Sequence, residues 1–362
     1  MFHTTRSAAI AACALLLMSA CTTKGADSSA NHTAAPTGLA TASGGVVKLK
    51  DGAKVKLALV PGGAHPYFQP WKPAGEQAKT ELGLGGFTFN ETGEWDQGKQ
   101  NAALESLAAQ GYNAFGIFGV SPTDINTTFA DLRGKGFAVG SLASCPAGDV
   151  NEADFCLSTD TEQAAYKAAK AAIEAMGGKG ALVHLTGNNV DSNTQRRIAG
   201  VKKAIDETGG AVTLTQTVTD IDSDLQTATK AVTDLLTTHG KGIQGIVSTA
   251  YNPAVAAAGA VKSTGLPIKV VAIDDDAKIL AGIKDGSVAA TVTQNPGGQA
   301  SVGSWVLALL ASGQCQMKER GVVIDSGSFV VTKANVDSYD KERVAKSDEV
   351  KQQFATQLLT CA

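Results

Sequence analysis

Short apolar runs alternate with segments of helical periodicity through most of this chain, and this alternation constrains the fold more than any other feature of the sequence. The apolar runs are rich in Val, Ile and Ala and lack polar alternation, which is typical of strands buried on both faces of a parallel sheet. The predicted strands are 56–60, 87–90, 114–118, 138–141, 181–185, 212–218, 245–248, 270–273 and 289–292. The predicted helices are 99–110, 122–134, 161–176, 195–207, 225–239, 253–263 and 298–310.

Nine strand–helix repeats in a chain of 362 residues imply an α/β fold with two doubly wound parallel-sheet lobes. A chain of this length usually holds two domains, each able to bury a core of its own. In sheets of this kind, ligands bind beyond the carboxyl ends of the strands. The residues that directly follow each predicted strand are therefore the first candidates for a functional site.

The N-terminus predicts export. Arg6 precedes an apolar run at 8–18 that is too short to span a bilayer, and Ser19 and Ala20 supply the small residues of a cleavage site before Cys21. This ending resembles a bacterial lipobox, with Met18 where Leu is usual, and the resemblance implies that Cys21 is lipidated. The alternative is an ordinary signal peptide followed by a chance cysteine. We therefore expect a signal peptide at 1–20 and, because the next residues are small, polar and aperiodic, a lipidated flexible tether at 21–46.

Cysteine usage agrees with an oxidising compartment. Four cysteines follow Cys21, and they permit three pairings. We expect Cys145 to pair with Cys156 across a short loop and Cys315 with Cys361 to fasten the C-terminus, while the other two pairings remain open.

The sequence lacks the motifs that are typical of several classes of protein function. No C-x-x-C, H-E-x-x-H, Walker A sequence, G-x-S-x-G elbow or G-x-G-x-x-G after a strand occurs, so we expect no metal, no cofactor and no enzyme activity. The net charge is −3 and no Lys/Arg-rich stretch is present, which argues against nucleic acid as a partner.

A series of short segments carries a family resemblance. The segment 61–68, PGGAHPYF, resembles the asparagine–proline–aromatic–aromatic motif of the type I periplasmic sugar-binding proteins, the ribose-binding group, with His65 in the asparagine place. Matching segments follow in the family order: SPTD at 121–124, RRIAGV at 196–201, AID at 272–274 and ATVTQNP at 290–296. The resemblance covers roughly residues 54–335.

The resemblance implies a set of ligand-facing positions. They are His65, Tyr67, Phe68, Ser121, Gln195, Tyr251 or Asn252, Asp274 and Gln294. Aromatic rings can cover the apolar face of a sugar, a carboxylate can accept hydroxyl protons, and an amide can both donate and accept. Two alternatives stay open. Tyr67 and Phe68 could pack in a core together with Trp71. Asp274 could cap the following helix, although we expect Asp276 to be the capping residue.

The sequence departs from the family pattern at two binding positions. Ser141–Cys145 stands where sugar binders often carry an Asp-Arg pair, and Gln195 stands at the place of a binding arginine, which Arg196 or Arg197 could replace only if the register slips. Ribose is therefore a poor expectation. Polyols, other pentoses or hexoses, and other small hydroxylated ligands stay open.

Taken with the export signal, the resemblance implies a lipid-tethered, monomeric receptor that delivers a small sugar or polyol to the membrane permease of an ABC importer. A sensor that presents its ligand to a membrane signalling receptor, or a binder of a nucleoside or autoinducer, is the alternative. We expect three hinge crossovers near 157–160, 294–296 and 325–328. The expected segments are lobe 1 at 47–157 plus 296–325, lobe 2 at 158–295 plus 326–340, and a C-terminal tail at 341–362.

Overall fold

The computed structural model describes residues 47–362. The predicted signal peptide, Cys21 and the tether lie outside these residues. Within the described part of the chain, no helix is long and apolar enough to cross a membrane.

The described residues alternate between strands and helices. The strands are β1 (Lys56–Val60), β2 (Gly86–Phe89), β3 (Ala114–Ile117), β4 (Ala138–Leu142), β5 (Phe155–Ser158), β6 (Gly180–Leu185), β7 (Val212–Val218), β8 (Gly245–Ser248), β9 (Lys269–Ile273), β10 (Ala290–Val292), β11 (Cys315–Met317), β12 (Val322–Asp325), β13 (Val330–Val331) and β14 (Leu359–Cys361). The helices are α1 (Trp71–Leu82), α2 (Gln97–Ala109), α3 (Ile125–Gly134), α4 (Thr161–Ala175), α5 (Ser192–Asp206), α6 (Leu225–His239), α7 (Tyr251–Thr264), α8 (Ala277–Asp285), α9 (Pro296–Ala311) and α10 (Tyr339–Gln353).

Lobe 1 is built on a six-stranded sheet in the order β12-β5-β4-β3-β1-β2, and every neighbouring pair is parallel. All residues of β3, β4 and β5 are buried, because helices cover both faces of the sheet. One face packs against α1 and the apolar helix α9, and the other packs against α2 and α3.

Lobe 2 repeats this plan in the order β13-β10-β9-β8-β6-β7. The first five of its strands along the chain are parallel, and the two-residue β13 runs antiparallel to β10 at one edge. The Ala-rich α4 lies against α5 and against the central strands, since small side chains allow a close approach. Two doubly wound parallel-sheet lobes are thus confirmed.

The chain crosses between the two sheets three times, after β5, after β10 and after β12. These places coincide with the expected crossovers. Buried hydrogen bonds tie the three crossings together: Gln299 Nε2 donates to Ser326 Oγ at 2.9 Å, and Thr159 Oγ1 donates to the Gln294 carbonyl at 3.0 Å. Such a polar network fixes the relative position of the strand connections.

The last segment, 341–362, which the sequence analysis expects as a C-terminal tail, packs on lobe 1. Helix α10 contacts α9, and β14 pairs antiparallel with β11. Val350, Phe354 and Leu359 are buried in the lobe 1 core, and burying these apolar side chains offsets the entropy of ordering the segment.

Two disulfides join Cys145 to Cys156 and Cys315 to Cys361, the pairing that the sequence analysis favours. The first closes the loop between β4 and β5, and the second joins β11 to β14.

Replacing Cys145 and Cys156 together by Ala is expected to lower the free energy of unfolding by about 3 kcal/mol, since the bridge removes chain entropy from the unfolded state. Urea unfolding of the oxidised proteins measures the loss. The wild-type protein unfolded under reducing conditions is the control, and it should lose more, because both bridges open. A loss below about 1 kcal/mol, or an unreduced peptide that links Cys145 to Cys315, contradicts the prediction.

Candidate ligand-binding cleft

A cavity of about 350 Å³ lies between the two lobes, beyond the carboxyl ends of their strands. Aromatic rings and carboxylates dominate its lining. The lining residues include His65, Tyr67, Phe68, Trp95, Phe118, Asp191, Asn193, Arg197, Asp220, Asp222, Tyr251, Asp274 and Gln294. A concave site with a few convergent polar groups is typical of small-molecule binding.

The segment after β1 forms the lobe 1 wall. His65 begins a short 3₁₀ turn, and its Nδ1 accepts a hydrogen bond from the Tyr67 backbone N–H at 3.2 Å. Tyr67 Oη donates to Gln299 Oε1 at 2.8 Å, which joins the cleft wall to the buried network at the crossings. Phe68 is 2% exposed and packs edge-on against Trp71 and Phe118. Phe68 therefore belongs both to the core and to the cleft lining.

Trp95 is a cleft residue that the sequence analysis does not assign. Its side chain is 43% exposed, and its backbone has a φ of +58°, following Glu94 at +51°. The Trp95 backbone N–H donates to the Gly62 carbonyl at 2.8 Å. A Cβ at Gly63 would lie 2.7 Å from the indole Nε1, so the ring needs glycine beneath it.

Asp274 follows β9 in the left-handed region, with a φ of +76°, and it is 4% exposed. Its Oδ1 accepts a hydrogen bond from Gln294 Nε2 at 2.7 Å. Burial raises the pKa of the Asp274 carboxyl to about 7, against the smaller lowering effects of Gln294 and Arg197. Asp276, and not Asp274, caps α8 by accepting the Lys278 backbone N–H at 2.7 Å.

Arg197 lies in the cleft where the sequence analysis expects Gln195. Helix α5 begins at Ser192, so Asn193 and Arg197, four residues apart, share its cleft face, while Gln195 is exposed and donates to the Asn189 carbonyl. The Gln195 prediction is corrected in this respect: Gln195 lies outside the lining, and Arg197, which the sequence analysis names as a possible replacement, lies in it. Arg197 Nη2 donates to Gln294 Oε1 at 3.4 Å.

Two further expected positions lie outside the cavity lining. Ser121 Oγ accepts the Asp124 backbone N–H at 3.1 Å and so shapes the start of α3. Asn252 is buried, and its Nδ2 donates to the Asp222 carbonyl at 2.9 Å. Of the open pair, Tyr251 lines the cavity, and its hydroxyl donates to Asp276 Oδ2 at 2.9 Å.

The sequence analysis also misses the acidic lining residues that follow β6 and β7. These positions lie beyond the carboxyl ends of strands, where ligands are expected to bind, but no family motif covers them. Asp191 caps α5, and Asp220 and Asp222 lie in the loop before α6. The rule that ligands bind beyond strand ends therefore carries a signal for these carboxylates.

The two lobes contact each other across the cleft. His65 Nε2 lies 3.4 Å from Asp222 Oδ2, and Asn193 Nδ2 donates to the Ala143 carbonyl at 3.3 Å. Nδ1 of His65 accepts a backbone hydrogen bond, and its Nε2 faces the Asp222 carboxylate and the Asn252 amide. No cluster of His, Cys, Asp and Glu side chains suited to a metal ion occurs among residues 47–362.

Comparison with known proteins gives a consistent result. Residues 58–315 match the family described as periplasmic binding protein domain. The fold is similar to that of an ABC transporter solute-binding protein from Burkholderia graminis C4D1M in complex with D-arabinose, with a TM-score of 0.72 and 24% identity over 80% of this chain and 99% of that chain.

Two other solved structures are similar at lower identity. They are the Caulobacter myo-inositol binding protein bound to myo-inositol (TM-score 0.70, 22% identity, 82% of this chain and 100% of that chain) and a solute-binding protein from Agrobacterium vitis bound with α-D-tagatopyranose (TM-score 0.70, 20% identity, 80% and 98%). A search of curated protein sequences gives no significant match.

Proposed function

The chain belongs to the periplasmic binding protein domain family, and from this premise we propose that it captures a small sugar or polyol outside the cytoplasmic membrane and delivers it to an ABC importer. Structures of similar fold contain D-arabinose, myo-inositol or α-D-tagatopyranose, and these proteins are ABC transporter solute-binding proteins and a myo-inositol binding protein. In this proposed function the cleft residues bind the ligand and catalyse no reaction.

The observation that carries the proposal is the chemistry of the cavity. Tyr67, Phe68 and Trp95 offer rings to the apolar face of a cyclic ligand, while Asp274 and Gln294 offer an acceptor and an amide to its hydroxyl groups. Its volume of about 350 Å³ lies in the range of small-molecule sites. A compact hydroxylated ring fits both requirements.

The mechanism that we propose is hinge closure. Each lobe carries part of the site: His65 and Phe68 lie on lobe 1, and Arg197 and Asp274 lie on lobe 2. A ligand that contacts both halves stabilises the closed arrangement relative to an open one, and the permease can then distinguish the two states.

Thermal unfolding of the purified protein with a panel of pentoses, hexoses, inositols and nucleosides tests this function. A ligand at 100 times its dissociation constant adds about 2.7 kcal/mol to the stability of the folded state, so its melting temperature should rise by several degrees. Tight binding of a nucleoside alone contradicts the sugar assignment. Loss of the shift in the Arg197→Ala variant would place the ligand in this cleft.

We further propose that the protein is a lipid-anchored monomer on the outer face of the cytoplasmic membrane. Cys21, after Ser19 and Ala20, is the attachment site in this proposal. The supporting observation is the sequence alone, since these residues lie outside 47–362.

Cys21→Ala is expected to move the protein from the membrane fraction to the soluble fraction, because an acyl anchor contributes about 0.8 kcal/mol per buried methylene and no other anchor is proposed. Fractionation after a high-salt wash, followed by immunoblotting, measures the change. Met18→Leu, which restores the usual lipobox residue, is the matched control and should stay membrane-bound. Retention of the Cys21→Ala variant on washed membranes contradicts the proposal.

A further inference from the structure

Carboxylates outnumber cations in the cleft. Asp191, Asp220, Asp222 and Asp274 line the cavity, and Arg197 is the guanidinium that accompanies them among the described lining residues. The described lining therefore has an excess of acidic side chains. A ligand with an anionic group would be repelled by it.

His65 contacts one of these carboxylates from the opposite lobe. Its Nδ1 accepts the Tyr67 backbone N–H, and its Nε2 lies 3.4 Å from Asp222 Oδ2. Arg197 is already engaged in part, because its Nη2 donates to Gln294 Oε1. Acidic side chains therefore outnumber basic ones in the described lining, even with both of these contacts made.

Asp274 is the most buried of the four carboxylates in the lining. Only 4% of its surface is exposed, and it lines the cavity. Its Oδ1 accepts from Gln294, whereas no hydrogen bond reaches Oδ2 from any residue of the described chain. Burying a carboxylate is costly, and this burial raises the pKa of Asp274 to about 7 although Gln294 and Arg197 lower it in part. A cationic group on the ligand would offset this cost.

Aromatic rings surround the same space. Trp95 and Tyr251 each lie edge-on to His65, with ring centroids 6.1 and 5.9 Å away, and Phe118 lies 6.0 Å from Trp95. The faces of such rings attract cations, and desolvated sites strengthen this attraction. Carboxylates combined with aromatic faces are suited to an ammonium group.

We propose that the ligand is a hydroxylated amine, such as an amino sugar or an aminocyclitol, whose ammonium group binds the carboxylate of Asp274 beside the aromatic rings of the cleft. This inference rests on the proposed function, because it narrows the ligand class of the same site. The hydroxyl groups of the ligand contact Arg197 and Gln294, which line the same cavity.

Calorimetric titration of the full chain at pH 7 with matched pairs tests the inference. The pairs are D-glucosamine and D-glucose, D-galactosamine and D-galactose, and an inosamine and myo-inositol. We expect the amine of at least one pair to bind about 10-fold or more tightly than its hydroxyl partner, since charge-assisted hydrogen bonds are about twice as strong as neutral ones. N-acetyl-D-glucosamine should lose the gain, and D-glucuronate should bind more weakly than D-glucose.

Two variants place the preference on Asp274. Asp274→Asn should bring the amine-to-hydroxyl affinity ratio close to one. Asp234→Asn, which removes an exposed carboxylate paired with Lys230 far from the cavity lining, is matched in charge and should leave the ratio unchanged.

Each outcome decides one claim. Tighter binding of the neutral member in every pair overturns the amine inference and leaves the proposed function standing. An amine preference that survives in Asp274→Asn overturns the assignment to this carboxylate. Absence of binding by both members of all pairs, and by the wider sugar and polyol panel, overturns the proposed function together with the inference.

Discussion

Asp274→Asn is expected to weaken ligand binding by about 10- to 150-fold, because a hydrogen bond to a charged group contributes about 1.5–3 kcal/mol and each 1.4 kcal/mol changes affinity tenfold. Asn tolerates the left-handed backbone at this position, and its amide oxygen can still accept the Gln294 hydrogen bond. The substitution therefore removes the charge with little change of shape. Calorimetric titration with the ligand that gives the largest thermal shift measures the loss.

The same variant is expected to be more stable than the wild type without ligand, and the gain depends on pH. The pKa of Asp274 rises from 3.8 to about 7 on folding, so ionisation of this carboxyl opposes folding. Its cost is absent below about pH 4, grows between pH 4 and 7, and is complete above pH 7. Melting temperatures of the two proteins should therefore converge near pH 4 and differ most at pH 8.

Weaker binding together with higher stability of the Asp274→Asn variant distinguishes a ligand-binding role of Asp274 from a helix-capping role. A residue that caps a helix loses about 1 kcal/mol of stability when its cap is removed and leaves affinity unchanged. Asp276 supplies the cap of α8 in the structure. An unchanged dissociation constant together with a lower melting temperature for Asp274→Asn would contradict the cleft assignment.

The sequence predicts the sheets well because buried parallel strands carry a continuous apolar signal. Strands β7 and β8 have the predicted bounds, and both lobes follow from the number of such runs. Strands β5 and β12 are missed. Each has four residues, and Cys156, Ser158 and Asp325 interrupt their apolar pattern, so it does not stand out from the flanking loops.

The site is predicted less completely, for two physical reasons. The orientation of a helix about its own axis sets which side chains face the cleft, and α5 presents Arg197 there while Gln195 is exposed. Trp95 reaches the cavity through two consecutive residues with positive φ, a conformation that non-glycine residues adopt only when tertiary contacts impose it. Local sequence carries little information about either feature.

The structure of the C-terminal segment is also hard to predict from the sequence, for a different reason. Helix α10 has a polar sequence with few buried positions, Val350 among them, so periodicity gives it little support. Its place is set by long-range contacts, the β11–β14 pair and the Cys315–Cys361 bridge, which join positions 46 residues apart.

Phe68→Ala is expected to lower the free energy of unfolding by about 3–5 kcal/mol, the usual range for deleting a buried aromatic ring. Phe68 is 2% exposed, and its ring lies within about 5 Å, centroid to centroid, of Tyr67, Trp71 and Phe118. These rings belong to lobe 1 and surround the wall of the cleft, so little can move to fill the space. Urea unfolding measures the loss of stability.

The variant should also bind its ligand more weakly. This loss of affinity would show that Phe68 contacts the ligand as well as packing in the core. Phe129→Ala is the matched control, because Phe129 is equally buried in lobe 1 but packs on the opposite face of the sheet, away from the cavity lining. It should lose a similar amount of stability and keep its affinity. If both variants bind as the wild type does, Phe68 is a core residue only. If Phe68→Ala loses affinity and less than about 1 kcal/mol of stability, its ring contributes to the cleft and not to the core.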